Sequence, residues 1–137
     1  MYVNVEEDPT AVVRWMPALL RGQGHLIRLV LDELVPVLSP DDPTYDERMG
    51  GIRRMGHGTS EMVLGLCEML SDPRVPAPLR RELVAALCDH ASTIARIWLP
   101  EERSQALSAL RIAREAEQDP EVAAALDEVR AAIASNH

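Results

Sequence analysis

Histidine and carboxylate side chains are the residues of this chain whose spacing could support chemistry. His57 and Glu61 lie four positions apart, which places them on one face of a helix, and His90 lies in a second segment of helical character. Imidazole and carboxylate groups that converge from neighbouring helices can bind a metal ion or transfer a proton. His57, Glu61 and His90 are therefore the candidate metal ligands.

The phase of the predicted helices argues against a metal centre. At about 100° per residue, His25 points away from the apolar stripe of the first helix, and His57 and Glu61 point away from the apolar face of theirs. The ligands of a buried di-metal site must point inward together. His90 alone lies within an apolar stripe, where we expect a core histidine bonded to a carbonyl or carboxylate.

The other reactive side chains lack the patterns that catalysis or cofactor binding requires. Ser60 is not in a nucleophile elbow, Cys67 and Cys88 lack metal-ligand spacing, and there is no phosphate-binding glycine loop. Glu101 and Glu102 are interpreted as caps at a helix start. The sequence therefore predicts no catalytic residue and no cofactor, and it favours a protein that is not an enzyme.

Two segments are similar to hemerythrin-type bundles. The His57-x-x-x-Glu61 pair resembles a pair on the second helix of that family, and residues 81–90, followed by 98–100, have a similar composition. The resemblance implies a metal-binding helical bundle. The family's later histidine ligands are missing here, and Ile94 stands where an acidic ligand belongs.

His57 also resembles the histidine of a phosphotransfer domain. It lies between Gly56 and Gly58 on a long helix, and small neighbours of this kind let a response regulator approach. The basic residue expected shortly after the histidine is absent, although Arg53 and Arg54 precede it. An exposed histidine on a solvated helix face is the alternative.

Glycine and methionine recur at regular spacing between Met49 and Met69. The glycines are seven residues apart and each methionine follows a glycine by four, which gives Gly51, Met55, Gly58, Met62, Gly65 and Met69. On one helix they form adjacent rows, here called the Gly/Met seam. Each interior glycine costs about 1 kcal/mol relative to alanine, so three in register indicate a compensating close approach.

Three uses of the Gly/Met seam stay open. The helix could be central in the core of a monomer, or the seam could be an interface with a second copy or another protein. The third use is a cavity for a small apolar ligand, because thioether side chains adapt to irregular shapes. Its candidate ligand-binding residues are Met55, Met62, His90 and Trp98.

Charge and composition exclude several classes of partner. The 137 residues are 47% apolar, and the net charge of −8 leaves fourteen basic residues scattered among twenty-two acids. Nucleic acids and anionic membranes require clustered cations and are excluded as main partners. No apolar run is long enough to span a bilayer, and residues 1–8 lack a secretory signal. We therefore predict a cytoplasmic protein with reduced cysteines.

Proline at helix starts predicts the organisation of the chain. Helices are expected at 9–38, 43–71, 78–98, 100–118 and 120–135. The first is expected to kink or split at Pro17 and at the Gly22/Gly24 pair. Its apolar stripe is Val12, Met16, Leu19, Leu26, Val30, Leu34 and Val37.

Short connections between these helices predict an all-α, single-domain, up-and-down bundle. It covers residues 6–135, with the 43–71 helix at its centre and disordered termini at 1–5 and 136–137. The tryptophans at positions 15 and 98 are expected to anchor the core, whereas an exposed tryptophan would indicate a partner surface.

A further resemblance concerns residues 19–27 and 33–36. They are similar to small helical actinobacterial proteins encoded near natural-product genes, which implies a genomic setting and no particular functional residue. The absence of lysine likewise indicates a GC-rich genome.

The sequence favours a non-enzymatic interaction or regulatory module that associates with itself or with a protein partner through the Gly/Met seam. The first alternative is an accessory protein that binds a small apolar molecule, or a small biosynthetic enzyme of natural-product metabolism. The second is a hemerythrin-like metal-binding bundle.

Overall fold

The computed structural model describes residues 9–135, which form an all-α bundle without a strand in that range. Its α-helices are α1 (Pro9–Val13), α2 (Met16–Leu29), α3 (Tyr45–Leu70), α4 (Ala77–Ala95), α5 (Pro100–Ala116) and α6 (Pro120–Ala134). The predicted all-α fold is confirmed. The termini predicted to be disordered, 1–5 and 136–137, lie outside the described residues.

The N-terminal helix is interrupted just before Pro17. Pro17 has no N–H and its ring would clash with the carbonyl of Val13, and α1 ends at Val13. Beyond α2 the chain widens into a π-helical turn, Val30–Leu34, and then tightens into a 3₁₀ turn, Val35–Val37. The predicted break at Pro17 is thus confirmed, but the one predicted at the Gly22/Gly24 pair is wrong, because α2 runs through both glycines.

The remaining helix boundaries agree closely with the prediction, because their start signals are local. Proline stands at the first or second position of α4, α5 and α6. Asp119 caps α6, since its Oδ1 accepts hydrogen bonds from the N–H groups of Glu121 at 2.9 Å and Val122 at 3.3 Å.

The five long helices form a ring of neighbours in the order α2, α4, α6, α5, α3. The contacts between α2 and α4 and between α4 and α6 are extensive, whereas α2 and α3 touch only lightly. The prediction that the 43–71 helix is central is therefore wrong. The central helix is α4, which packs against α1, α2, α3 and α6, and the ring is nearly open between α2 and α3.

The core confirms some predicted stripes and corrects one. The predicted face of α6 is fully buried and consists of Val122, Leu126, Val129 and Ile133. On α2 the predicted stripe is wrong at Leu19 and Leu26, which are exposed, although Met16 packs against the core. The residues that α2 buries are Pro17, Leu20, Gly24 and Ile27. Among the described residues, no helix combines the length and apolarity needed to cross a membrane.

The two tryptophans have opposite environments. Trp98 is buried at 5% exposure, as predicted, but Trp15 is 69% exposed, and the prediction that it anchors the core is wrong. Nothing in the described chain covers the Trp15 ring.

Candidate functional site

Among the described residues, the glycines of the Gly/Met seam have open space where a side chain would stand. A Cβ added at Gly58 or Gly65 would meet nothing within 4 Å, and one at Gly51 would meet only the Arg54 guanidinium at 3.7 Å. Their conformational cost is therefore not repaid by close packing inside the chain. The row is open to the outside.

Replacement of Gly58 with alanine is expected to stabilise the isolated chain by about 1 kcal/mol, because alanine removes the helix-propensity cost and clashes with nothing. Chemical denaturation at low protein concentration measures the change. Gly65→Ala should behave in the same way. A loss of stability in both variants would contradict the open placement of the row.

A groove runs along this open edge. Its volume is about 410 Å³, and it is lined by Gln23 of α2 and by Gly51, Arg54, Met55, Gly58, Thr59 and Met62 of α3. Met55, Met62 and Met69 are partly buried and pack against the core. The methionine side chains of α3 thus lie at the bottom of this open edge, and the glycine row lies beside them.

The four predicted ligand-binding residues are only partly brought together. Met55 and Met62 line the groove. Trp98 approaches it through Thr59, because the indole N–H donates to Thr59 Oγ1 at 2.9 Å while that hydroxyl contacts the Met55 carbonyl oxygen at 3.0 Å. His90 is not among the groove-lining residues.

His90 lies instead between α4 and α2. A Cβ at Gly24 would lie 2.9 Å from the His90 Cβ and closer still to the ring, so only glycine permits this helix approach. The His25 ring stacks edge-on, with centroids 5.4 Å apart. His90 is buried as predicted, but its Nδ1 has no hydrogen-bond partner among residues 9–135, which corrects the expected bond of this atom to a carbonyl or carboxylate.

The environment of His90 disfavours its charged form. Burial lowers its pKa from the ordinary value, and nearby His25, Arg21 and Arg28 lower it further, against the opposing effect of Asp89. The unfolded chain therefore takes up a proton at a higher pH than the folded chain. Stability contributed by neutral His90 is present above the unfolded pKa and is lost as the pH falls through and below it.

The free energy of unfolding is accordingly expected to fall as the pH decreases from about 7.5 to about 5.5, with His90 contributing at most about 1.4 kcal/mol per pH unit. Urea unfolding at a series of pH values measures this slope. The slope should be smaller in His90→Gln. Equal slopes in the two proteins would contradict the assignment to His90.

A second polar cluster joins α3 to the start of α5. Arg53 Nη2 lies 2.7 Å from Glu102 Oε1, and Arg53 Nη1 donates to the Ile97 carbonyl at 2.8 Å. His57 Nδ1 lies 3.5 Å from Glu102 Oε2, and the Leu99 N–H donates to Oε1 at 2.8 Å. The predicted capping role of Glu102 is confirmed, and its side chain also pairs with α3.

Glu102 is ionised at neutral pH. Burial raises its pKa, but the Leu99 N–H, the Arg53 guanidinium and His57 outweigh burial and hold the pKa below the usual range. The partner of His57 is therefore Glu102, which lies on another helix. Glu61, the residue paired with His57 by spacing, is exposed.

The candidate metal ligands do not converge. His57 lies toward α5 beside Glu102, while His90 lies toward α2 beside His25. Within residues 9–135, no three histidine, cysteine, aspartate or glutamate side chains are placed to share a metal ion. The arrangement of these side chains offers no preformed metal centre there.

Sequence reasoning missed which glycines mediate close approach. They are Gly24, beneath His90, and Gly56, where a Cβ would lie 2.5 Å from the Ile97 carbonyl oxygen. Neither belongs to the regular row at 51, 58 and 65. For Gly56 the usable signal was its place on the apolar face of α3, which it shares with Ile52 and Val63. Gly24 carried no such signal, because periodicity does not decide which face of α2 is buried.

An apolar ridge on α2 is the other unexpected feature of the open edge. Trp15 stands just before the helix and is 69% exposed, followed by Leu19 at 54%, Leu26 at 47% and Leu29 at 53%. We call these four residues the α2 ridge. Contiguous exposed apolar side chains of this size mark interaction surfaces.

Comparison with known proteins adds no relative from which residue roles could be transferred. No protein family, no curated protein and no solved structure matches the chain. The resemblances to hemerythrin-type bundles and to small actinobacterial proteins therefore stay predictions.

Proposed function

We propose that the chain is a non-enzymatic module that binds a protein partner through the Gly/Met seam. The observation that carries this proposal is the open glycine row, where a Cβ added at Gly58 or Gly65 would meet no side chain or other helix of residues 9–135 within 4 Å. A missing side chain lowers stability and leaves room for another backbone. A partner that packs against the glycine row would recover the stability that these glycines cost.

The surroundings of the row support a protein partner. The thioethers of Met55 and Met62 offer an adaptable apolar surface, and the α2 ridge adjoins it. Apolar surface with aromatic and methionine side chains is typical of the centre of protein interfaces. The two free thiols, Cys67 and Cys88, favour the reducing cytoplasm as the setting.

A photo-crosslinking amino acid at position 58 tests the proposal in the native cells. The matched control carries the same amino acid at Ala124, which is exposed on α6, a helix that packs on α4 and α5. We expect a crosslinked polypeptide from position 58 and none from position 124. No polypeptide adduct at 58, or equal adducts at both positions, would contradict a partner at the seam.

A small apolar ligand is the second candidate, and the groove of about 410 Å³ with its two methionine side chains favours it. Native mass spectrometry of the purified chain distinguishes the two functions. A stoichiometric small-molecule adduct that is lost in Gly58→Leu would favour the ligand. Its absence together with a polypeptide crosslink would favour the protein partner.

A further inference from the structure

The α2 ridge has no partner within the described chain, and it has the spacing of a helix-packing surface. Its members follow one another by four, seven and three residues, with Gly22 in the same stripe between Leu19 and Leu26. Steps of three and four keep such residues on one side of a helix. Gly22 is exposed, and a Cβ there would meet nothing within 4 Å.

The ridge and the Gly/Met seam lie side by side on one face of the molecule. Gln23 of α2 lines the groove against α3. Leu19 and Leu26 are four residues before and three residues after Gln23, so they occupy the adjacent row of α2. The exposed apolar surface therefore continues from the α2 ridge across the groove to the glycine row.

The two features also match in length and shape. Trp15 and Leu29 are fourteen residues apart, and so are Gly51 and Gly65. At 1.5 Å per residue, each feature is about 21 Å long. One is a ridge of large side chains and the other is a row that lacks side chains, so each complements the other.

Charged rows border this surface on both sides. Arg21 and Arg28 lie on the far side of α2, Arg14 lies seven residues before Arg21 in the turn that precedes this helix, and residues 9–31 contain no acidic side chain. On α3 the row beyond the glycines is Glu47, Arg54, Glu61 and Glu68. One border is basic and the other is predominantly acidic.

We propose that the partner is a second copy of this chain, and that the α2 ridge of each copy packs into the Gly/Met seam of the other. The inference rests on the proposed function and names its partner. A two-fold axis along the groove places each α2 over the partner's α3, which gives a self-complementary interface. The four helices then form an antiparallel bundle across the dimer.

Charge selects this crossed arrangement over the alternative. If α2 packed on the partner's α2, the arginine rows would face each other, and so would the acidic rows. In the crossed arrangement Arg14 and Arg28 face the acidic border, and the central Arg21 is already paired with Asp89 at 3.1 Å. Opposite charges at the rim favour the correct pairing and disfavour the wrong one.

The surface is large enough for a stable dimer. The exposed parts of the four ridge side chains amount to roughly 400 Å² per copy, given the area of such side chains. Two ridges and the two seams that they cover then bury on the order of 1,600 Å². That is the size of a standard specific interface.

Sedimentation equilibrium on the full chain tests the proposal. We expect a mass of twice 15.2 kDa for the natural sequence, and at least a roughly tenfold weaker dimer for Leu26→Glu and for Gly58→Leu. The matched control is Ile112→Glu, because Ile112 is likewise an exposed apolar residue, at 57% against 47% for Leu26, but lies on α5. Circular dichroism and urea unfolding verify that each variant folds.

Charge reversal distinguishes the crossed arrangement from the alternative. Arg14→Glu with Arg28→Glu should weaken the crossed dimer about tenfold, and adding Glu47→Arg with Glu61→Arg in the same chain should restore it. If α2 packed on α2, the first pair of changes would only replace one like-charge contact with another. An unchanged dimer after the first pair would overturn the crossed arrangement.

The outcomes also separate this inference from the proposed function. A strictly monomeric chain up to about 100 μM, well above the Kd of ordinary specific complexes, would overturn the second copy as partner. A crosslink from position 58 to a different polypeptide would then leave the proposed function standing. A folded dimer that resists Leu26→Glu and Gly58→Leu would overturn the ridge-in-seam arrangement, whereas the proposed function itself fails only if position 58 yields no specific polypeptide crosslink.

Discussion

Replacement of Gly24 with alanine is expected to destabilise the bundle by about 2–3 kcal/mol, the upper part of the range of about 1–3 kcal/mol that is typical of overpacking in a core. The added Cβ would overlap the His90 side chain, whose own Cβ would lie only 2.9 Å away. That contact involves the base of a buried side chain, so α2 and α4 must separate for relief. Urea denaturation at neutral pH measures the loss.

Gly22→Ala is the matched control for this prediction. Gly22 lies two residues away on the same helix, and a Cβ there meets nothing within 4 Å. We expect Gly22→Ala to raise stability by about 1 kcal/mol through helix propensity alone. Similar effects of the two substitutions would show that α2 does not pack closely on His90.

Loss of the Glu102 side chain is expected to destabilise the fold by about 2 kcal/mol. In Glu102→Ala the Leu99 N–H loses its acceptor and the Arg53 guanidinium, 2.7 Å away in the native protein, loses its charge partner. Arg53 remains partly exposed, so water compensates for part of the loss. Thermal and urea unfolding at neutral pH report the change.

The variant Glu102→Gln distinguishes the hydrogen bond that caps α5 from the charge interaction with Arg53. The amide oxygen can still accept the hydrogen bond from Leu99, so the loss should be smaller than for alanine. Because the folded pKa of Glu102 is depressed, its contribution is present above the unfolded pKa of about 4.5 and is lost as the pH falls. If Glu102→Ala were still less stable than the natural sequence by the same amount at about pH 3, the contribution assigned to the Glu102 charge would be contradicted.

The elements of the fold could be predicted because their signals are local. Proline and aspartate at helix starts fix the beginnings of α5 and α6, as at Pro100 and Asp119. The stripe on α6 is unambiguous, since every valine, leucine and isoleucine of that helix lies in one row, which begins with Val122 and Leu126. Local chemistry decides both outcomes.

The face of α2 could not be predicted from periodicity. The helix carries apolar side chains both at Leu20 and Ile27, which are buried, and at Leu19 and Leu26, which are exposed. Two stripes one residue apart have the same helical period, so periodicity cannot choose between them. The choice depends on α4, which accepts the face that contains Gly24.

The polar cluster and the placement of the seam also depend on tertiary structure. His57 and Glu102 are far apart in the chain, and only the packing of α3 on α5 brings them together. Spacing favoured Glu61 as the partner because sequence reveals neighbours along one helix alone. Likewise, regular glycine spacing indicates a row but does not indicate which side of the bundle it faces.

The environment of Cys67 has a practical consequence. Burial, together with the nearby Glu68 carboxylate, raises the pKa of the Cys67 thiol to about 12. The nucleophilic thiolate is therefore scarce while the helices remain packed, and alkylating reagents must wait for a fluctuation that admits solvent. The rate at which the Cys67 sulfur is alkylated should therefore report how often the packed helices open locally to solvent.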